Sequence, residues 1–371
     1  YHFRKSMEVG RRDLTFARPI RWILAVYDGK TIPFRVGDVK SSNKSRGHRF
    51  MSPKPFKAEG WEDYSRGLEE GFVVLDQEKR KNIIREDVSR LAESIGGSVE
   101  DDPELLETVN YLVEYPVVLK GDFEKDFLEL PQEVLISVMK NHQKYFAVFS
   151  NAEPEKLLPH FIFVSGTKVK DSRVVSKGNE RVIRARFTDA RFFYDEDRSA
   201  GLESRIEKLK GMVFLSEIGS YYDKTERLKE LAGAIAKSLG FEGLAADAER
   251  AAWLSKADLA TQMVFEFPEL QGIMGKYYAR LAGEKEEIAR AIEEQYMPNS
   301  RAGDLPETVT GSILSIADKA DTISACFMAG LIPTGASDPT LEAAIDRNNK
   351  YSFRKGIRAR SRGALQAGIR P

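Results

Sequence analysis

The 371-residue chain is 42% hydrophobic and 31% charged, with 57 Lys/Arg balanced by 57 Asp/Glu. This suits a soluble globular chain of two or three domains, excludes a globally basic nucleic-acid binder, and leaves no stretch near the roughly 18 apolar residues of a membrane span. The single cysteine, Cys326, excludes an internal disulfide and a thiolate metal cluster; its apolar helical setting predicts an inert core thiol in a cytoplasmic protein.

The chain opens on Tyr1 without the features of a secretory signal, which predicts a piece of a longer protein. Phe16 to Phe34 reads as two strands joined at Asp28-Gly29, a strong hairpin signal. Gly29-Lys30-Thr31 mimics the end of a phosphate loop, but no Gly-rich lead-in precedes it, so no nucleotide site is predicted. Ser45 to Phe50 gathers Arg46, His48 and Arg49 beside a ring; these cations either pair with nearby acids or contact phosphate.

Ile83, Ile84, Val88, Leu91 and Ile95 recur at helical spacing and predict a helix from Asp76 to Ile95, stopped by Gly96-Gly97. A helix over 103–113, a buried strand over 116–119, a helix over 131–139 and strands over 146–149 and 161–164 follow. Helices interleaved with strand pairs indicate an α+β class with a mixed α/β first portion, not a repeating βαβ array.

Lys177 to Arg198 carries the strongest local basic signal. A helix would align Arg181, Arg184 and Arg191 on one side, with Phe187 and Tyr194 as helical neighbours. Guanidinium forks grip phosphate and rings stack on bases. Glu180, Asp189, Asp195, Glu196 and Asp197 interleave, so internal ion pairs compete for the same cations. Arg181, Arg184, Arg186 and Arg191 are the first candidates for nucleic-acid contact; Arg46, His48, Arg49, Lys140 and Lys144 are the second.

After Gly201 the pattern is almost purely helical, over 202–210, 216–239, 244–265, 269–281, 284–296 and 309–328. The expected division is therefore a mixed domain over 1–200 and an all-α domain over 201–339. Within the latter, Trp253, Ala257, Ala260 and Val264 share one helical stripe, with Leu254, Asp258 and Thr261 beside it. Pro268 is placed to open a second helix and Gly283 to close it. A carboxylate at Asp258 then lies against the apolar face of a helix hairpin, where it must either bind something or bond neighbouring backbone. The chain holds no G-x-S-x-G elbow, H-E-x-x-H pair or dinucleotide fingerprint, and no adenylate-forming signature.

Ordered runs from end to end (FARPIRWI at Phe16, GHRF at Gly47, VEYPVVLKG at Val113, MKNHQKYF at Met139, the arginine-rich run from Asn179, IADKADTI at Ile316) closely resemble the beta subunit of bacterial tetrameric glycyl-tRNA synthetase. The likeness spans roughly Phe3 to Pro339. It implies a subunit of an α₂β₂ aminoacyl-tRNA synthetase, a glycine–tRNA ligase, that lacks the beginning of the subunit and its later anticodon-arm portion. Implied partners are the alpha subunit and tRNA(Gly), with no membrane; ATP and Mg are used by the alpha subunit, and this chain carries no cofactor or catalytic residue.

The resemblance also makes the helical domain similar to HD-type phosphohydrolases, which hold metal with two histidines, an Asp beside the second and a distant Asp. Asp258 stands at the HD position behind Ala257, Asp318 looks like the distal Asp, and no histidine follows His160. Two carboxylates without imidazole make a poor transition-metal site, although Mg²⁺ could use carboxylates and waters. No metal is expected at these degenerate positions. The competing readings are an HD-type metal-dependent phosphohydrolase and a non-catalytic structural RNA-binding protein.

The tail departs from the family. From Thr340 to Pro371 it has eight Lys/Arg and two Asp/Glu with poor periodicity. Read one base later with permitted codons, Glu342 to Ser352 becomes Arg-Arg-Gln-Ser-Ile-Gly-Ile-Ile-Asn-Ile, which resembles the family's continuation. A frame slip near residue 340 accounts for this, leaving a tail expected to be disordered; a native basic tail for RNA is the alternative. Sequencing the coding DNA should reveal the slip, and an intact native frame ending in these codons would refute it.

Overall fold

The computed structural model describes residues 6–8, 15–18, 20–299 and 303–331. The tail over 340–371, with its expected frame slip and disorder, lies outside the described residues. The class is α+β, and no helix among the described residues is long and apolar enough to cross a membrane. Two compact units form: Tyr1–Leu128 with Val138–Ala185, and Glu129–Ser137 with Arg186–Pro371. This division differs from the expected one at residue 200. The reason is that a single helix carries the chain through the boundary, so no composition change marks it.

The first unit begins with short strands: β1 (Met7–Glu8), β2 (Thr15–Phe16), β3 (Ile23–Leu24), β4 (Val26–Tyr27), β5 (Lys30–Thr31), β6 (Arg35–Val36), β7 (Val39–Ser42), β8 (Lys44–Arg46) and β9 (Pro55–Lys57). The Asp28-Gly29 hairpin joins β4 to β5, with both turn residues at positive φ, 50° and 71°, as a two-residue turn of the primed type requires. Strand β7 pairs parallel with β3 and antiparallel with β6, and β8 pairs with β9.

Helices α1 (Trp61–Glu70), α2 (Gln77–Ser94) and α3 (Pro103–Leu112) follow, with β10 (Gly97–Ser98) between the last two. The Asp76 carboxylate caps α2 by accepting from the amides of Glu78 (2.8 Å) and Lys79 (3.0 Å), and Asp102 caps α3 through Leu105 (2.9 Å). Gly96, at φ +77°, ends the first of these helices. Strands β11 (Val117–Asp122), β12 (Phe146–Ser150) and β13 (Leu157–Ser165) complete a four-stranded antiparallel sheet in the order β10-β12-β13-β11. Strand β11 is an edge strand and half-buried over Val117–Lys120, where a buried strand was expected at 116–119.

Ile84, Val88 and Ala92 of α2 and Leu105, Leu106 and Val109 of α3 pack with Phe146, Val148 and Ile162 to form this unit's core. Gly121 is required there, since a Cβ would stand 2.2 Å from the Phe161 ring. Before β12, α4 (Gln132–Ser137) gives way to a π-helical turn, Val138–Gln143, where simple helix was expected over 131–139.

The long helix α5 spans Ser172–Ala200. In the second unit it is followed by a 3₁₀ segment (Glu203–Gly211), strands β14 (Val213–Leu215) and β15 (Gly219–Ser220), then α6 (Tyr221–Ser238) and α7 (Ala245–Leu254). The small hairpin takes the start of the helix expected over 216–239, which begins at Tyr221, and the unit is otherwise almost purely helical as expected. The 244–265 segment is also not one helix: a 3₁₀ turn over Ala257–Ala260 separates α7 from α8 (Gln262–Glu266). Pro268 opens a further 3₁₀ turn, and α9 (Ile273–Leu281) starts only after Gly272 at φ +83°. Helices α10 (Glu286–Glu294) and α11 (Val309–Met328) complete the unit. Cys326 is half-buried, not a core thiol.

The break between α7 and α8 has an identifiable cause. Asp197, 2% exposed near the end of α5, accepts from the backbone amides of Gln262 (3.0 Å) and Met263 (2.9 Å) and pairs with Arg205 at 2.8 Å. Tyr278 adds a donor at 3.3 Å. The carboxylate thus acts with the Thr261 hydroxyl, which accepts from the Val264 amide, to start α8. Asp197→Ala strands the buried Arg205 charge and two amides, and should lower unfolding stability in urea by about 3–5 kcal/mol. Asp195→Ala, at an exposed pair, should change it by under about 1 kcal/mol.

Candidate functional site

Two groups of residues were singled out by sequence: the cations around α5 and the carboxylates Asp258 and Asp318. On α5, Ile183, Phe187 and Ala190 are fully buried and set the inner face of the helix. Arg181, Arg184 and Arg186 are exposed and Arg191 is half-buried. Arg184 forms an ion pair with Glu124. Arg181 and Arg186 have no ion pair among the described residues. At about 100° per residue, Arg186 lies roughly 140–160° round the helix from the other three, so only Arg181, Arg184 and Arg191 share a side. The rings expected to stack on bases point elsewhere: Phe187 is buried, and Tyr194 stacks on Tyr278 at 5.9 Å.

The second set of cations is not equivalent. His48 is buried, with Nε2 2.7 Å from the Gly166 carbonyl and Nδ1 3.3 Å from the amides of Phe50 and Met51. A carbonyl can only accept and an amide only donate, so the ring is the Nε2–H tautomer and staples its loop. His48 is therefore corrected from a surface contact to a structural one. Arg46 donates to the Pro53 carbonyl (2.9 Å) and lies 6.0 Å from the Trp22 ring centre; Arg49 lies 5.5 Å from that of Phe50. Lys140 pairs with Asp102 at 2.5 Å, and Lys144 donates to the Asn141 carbonyl at 2.9 Å.

The acid centre lies wholly in the second unit. Asp258 is fully buried, and its Oδ2 accepts from the amides of Gly272 (2.6 Å) and Gly275 (3.2 Å). The carboxylate therefore takes the backbone-bonding alternative. Gly275 permits this, because a Cβ there would stand 2.6 Å from Ile292 and 3.1 Å from Oδ2. Burial pushes the Asp258 carboxyl up to about 6, against the opposing pull of the Gly272 amide and the Lys256 charge.

Asp318 has different neighbours. Lys224 on α6 and Lys256 after α7 place their ammonium groups 3.1 and 3.0 Å from its Oδ1, and Lys224 also reaches Asp321 at 3.0 Å. Burial would raise the Asp318 carboxyl, but the two ammonium charges prevail and hold it well below the usual range. Lys224 is held above its ordinary value because Asp318 and Asp321 outweigh its own desolvation. Lys256 is pushed down, its burial outweighing the help of Asp318.

These partners were not anticipated, although Lys256 stands two residues before Asp258 in an apolar run and was legible as a possible internal cation. A metal does not fit this donor set. Asp318 already carries two positive neighbours, Asp258 has one oxygen held by amides and leaves only its buried Oδ1 without a hydrogen bond, and among the described residues no three His, Cys, Asp or Glu side chains converge.

The comparison with known proteins decides the family. The profile of the glycyl-tRNA synthetase beta subunit matches residues 1–341. The chain belongs to the glycyl-tRNA synthetase beta subunit family. It is 50% identical over 337 residues to the glycine–tRNA ligase beta subunit of Geobacter sulfurreducens, covering 91% of this chain and 49% of that relative. The corresponding subunit of Syntrophus aciditrophicus is 49% identical over the same length, with 48% of it covered. The chain thus spans about half the length of these beta subunits.

The centre can be tested by pH. A carboxyl raised from 3.8 to about 6 makes its favourable contribution below pH 3.8 and loses it as pH rises through 6. Asp258→Asn keeps an acceptor but cannot ionise. Its stability relative to the unsubstituted chain should therefore rise by about 1–2 kcal/mol between pH 5 and 7.5, measured by urea unfolding. A parallel pair of pH profiles would refute the assignment.

Proposed function

We propose that this chain is the part of a glycine–tRNA ligase beta subunit that guides tRNA(Gly) and docks the alpha subunit. ATP- and Mg²⁺-dependent activation of glycine, and its transfer, belong to the alpha subunit. The observation that carries this reading is the α5 helix, on which Arg181 and Arg186 stand exposed and, among the described residues, unneutralised. An unpaired guanidinium retains its full fork for a phosphate, whereas one already held by an acid must exchange a partner. The family membership supplies the context, since the relatives are named as subunits of a ligase that acts on tRNA. The acid centre favours the same reading over metal-dependent phosphate hydrolysis, because Lys224 and Lys256 already satisfy the carboxylate that a metal would need.

Binding of labelled tRNA(Gly), followed by anisotropy over a salt series, tests this. Arg181→Ala with Arg186→Ala should weaken binding and reduce the slope of log affinity against log salt by about 1–2, roughly 0.9 for each lost phosphate contact. An unchanged slope would clear both arginines.

A further inference from the structure

Residues 16–60 carry ten Lys/Arg and three Asp/Glu, in a chain whose formal charge is zero. All ten cations are exposed, and no salt bridge among the described residues reaches any of them. The strand register sharpens the imbalance. Arg35 on β6 is directly opposite Lys40 on β7, and Lys44 on β8 is directly opposite Lys57 on β9. Like charges facing each other across a ladder destabilise it. Two such pairs, with no salt bridge to any of the four cations among the described residues, oppose the folding of the strands that bear them.

The same segment leaves large rings in solvent. Tyr27 is 77% exposed, Phe50 74%, and Trp22 45%. Cations accompany them: Arg49 lies over Phe50, Arg46 near Trp22, and Lys30 is the cross-strand partner of Tyr27. Of the described residues in 16–60, only Ser45, His48 and Ala58 are buried, so the rings do not serve a core of the segment's own.

We infer that the strand segment over 16–60 is a binding surface for RNA with accessible bases, its cations holding phosphates and Trp22, Tyr27 and Phe50 offering stacking platforms. Charge alone would suit any polyanion; alternation of cations with exposed rings suits single strands and loops, where each base presents a face. The like-charge pairs are relieved when phosphates neutralise them. This surface uses none of the α5 arginines and rests on the tRNA reading only in taking tRNA(Gly) as its natural ligand.

The test uses the whole chain, a tRNA(Gly) transcript and an unstructured single-stranded oligoribonucleotide. Lys40→Glu with Lys57→Glu converts both like-charge pairs into opposite-charge pairs, so the thermal midpoint should hold or rise. RNA affinity should nevertheless fall about tenfold or more, with a shallower salt dependence. Tyr27→Ala and Phe50→Ala should each weaken binding by about fivefold or more, with little change in salt slope.

Tight tRNA(Gly) binding that ignores all four substitutions would overturn the surface and leave the α5 reading standing. Binding of the oligoribonucleotide but not tRNA(Gly), sensitive to these substitutions, would support the surface and remove the tRNA reading. Binding of neither RNA overturns the surface, as does a loss of alpha-subunit association with RNA affinity unchanged, which would make the face a protein dock.

Discussion

The helical unit depends on how its interior balances charge, and the shared carboxylate of Asp318 is where that balance is struck. Two ammonium groups from separate elements converge on one oxygen, and Asp321 takes up part of the excess through Lys224 and Arg227. Each member would be costly alone, since removing one partner of a buried pair typically destabilises by about 3–5 kcal/mol. Together they fix α6, the turn after α7 and α11. The asymmetry between the lysines follows from geometry: Lys224 has two carboxylates and stays firmly charged, while Lys256 shares one and is more easily neutralised. Its ammonium also lies 4.4 Å from the Tyr296 ring centre, which offers partial compensation.

The same economy of partners governs the long helix. Its C-terminal half sends Asp197 inward, where one carboxylate satisfies Arg205 and the opening amides of α8. Acids that interleave with the arginines in sequence therefore do not all compete for them. Asp197 is spent on distant backbone, Asp195 pairs with Arg198, and Arg184 finds Glu124 on another segment. Sequence proximity could not resolve this sharing, because the partner of each charge is set by which side of the helix it occupies and what packs there.

Much of the fold was legible where local chemistry decides it. The apolar period and Gly96-Gly97 placed α2, α3 lies within the anticipated 103–113 span, and α11 occupies the anticipated 309–328 span. Asp28-Gly29 announced its turn because few residues other than Gly, Asn and Asp accept positive φ. Failures concentrate where a remote group intervenes. The segment over 244–265 has helical periodicity, yet it is divided where Thr261 caps α8 and Asp197, some sixty residues earlier, accepts from the next two amides. His48 resembled a surface cation because its acceptor, Gly166, is 118 residues away. Asp258 was readable as a choice between ligand and backbone, but the outcome turned on Gly272 and Gly275 being small enough to approach it.

A pair of buried carboxylates does not by itself make a metal site. A divalent cation needs donors that are deprotonated, convergent and free of competing positive charge. Asp258 and Asp318 fail this in different ways: one is drawn toward its neutral form by burial and held by amides, the other is kept anionic by two ammonium groups. Inserting a metal would require displacing at least one lysine, whose stranded charge would then have to leave the interior or lose its proton. The lysines therefore serve the architectural role that a bound cation could serve, joining three elements through one anion, without exposing a reactive water. In the strand segment the balance runs the other way: among the described residues its ten cations have no salt bridge to an acid, and its two like-charge cross-strand pairs stay uncompensated there.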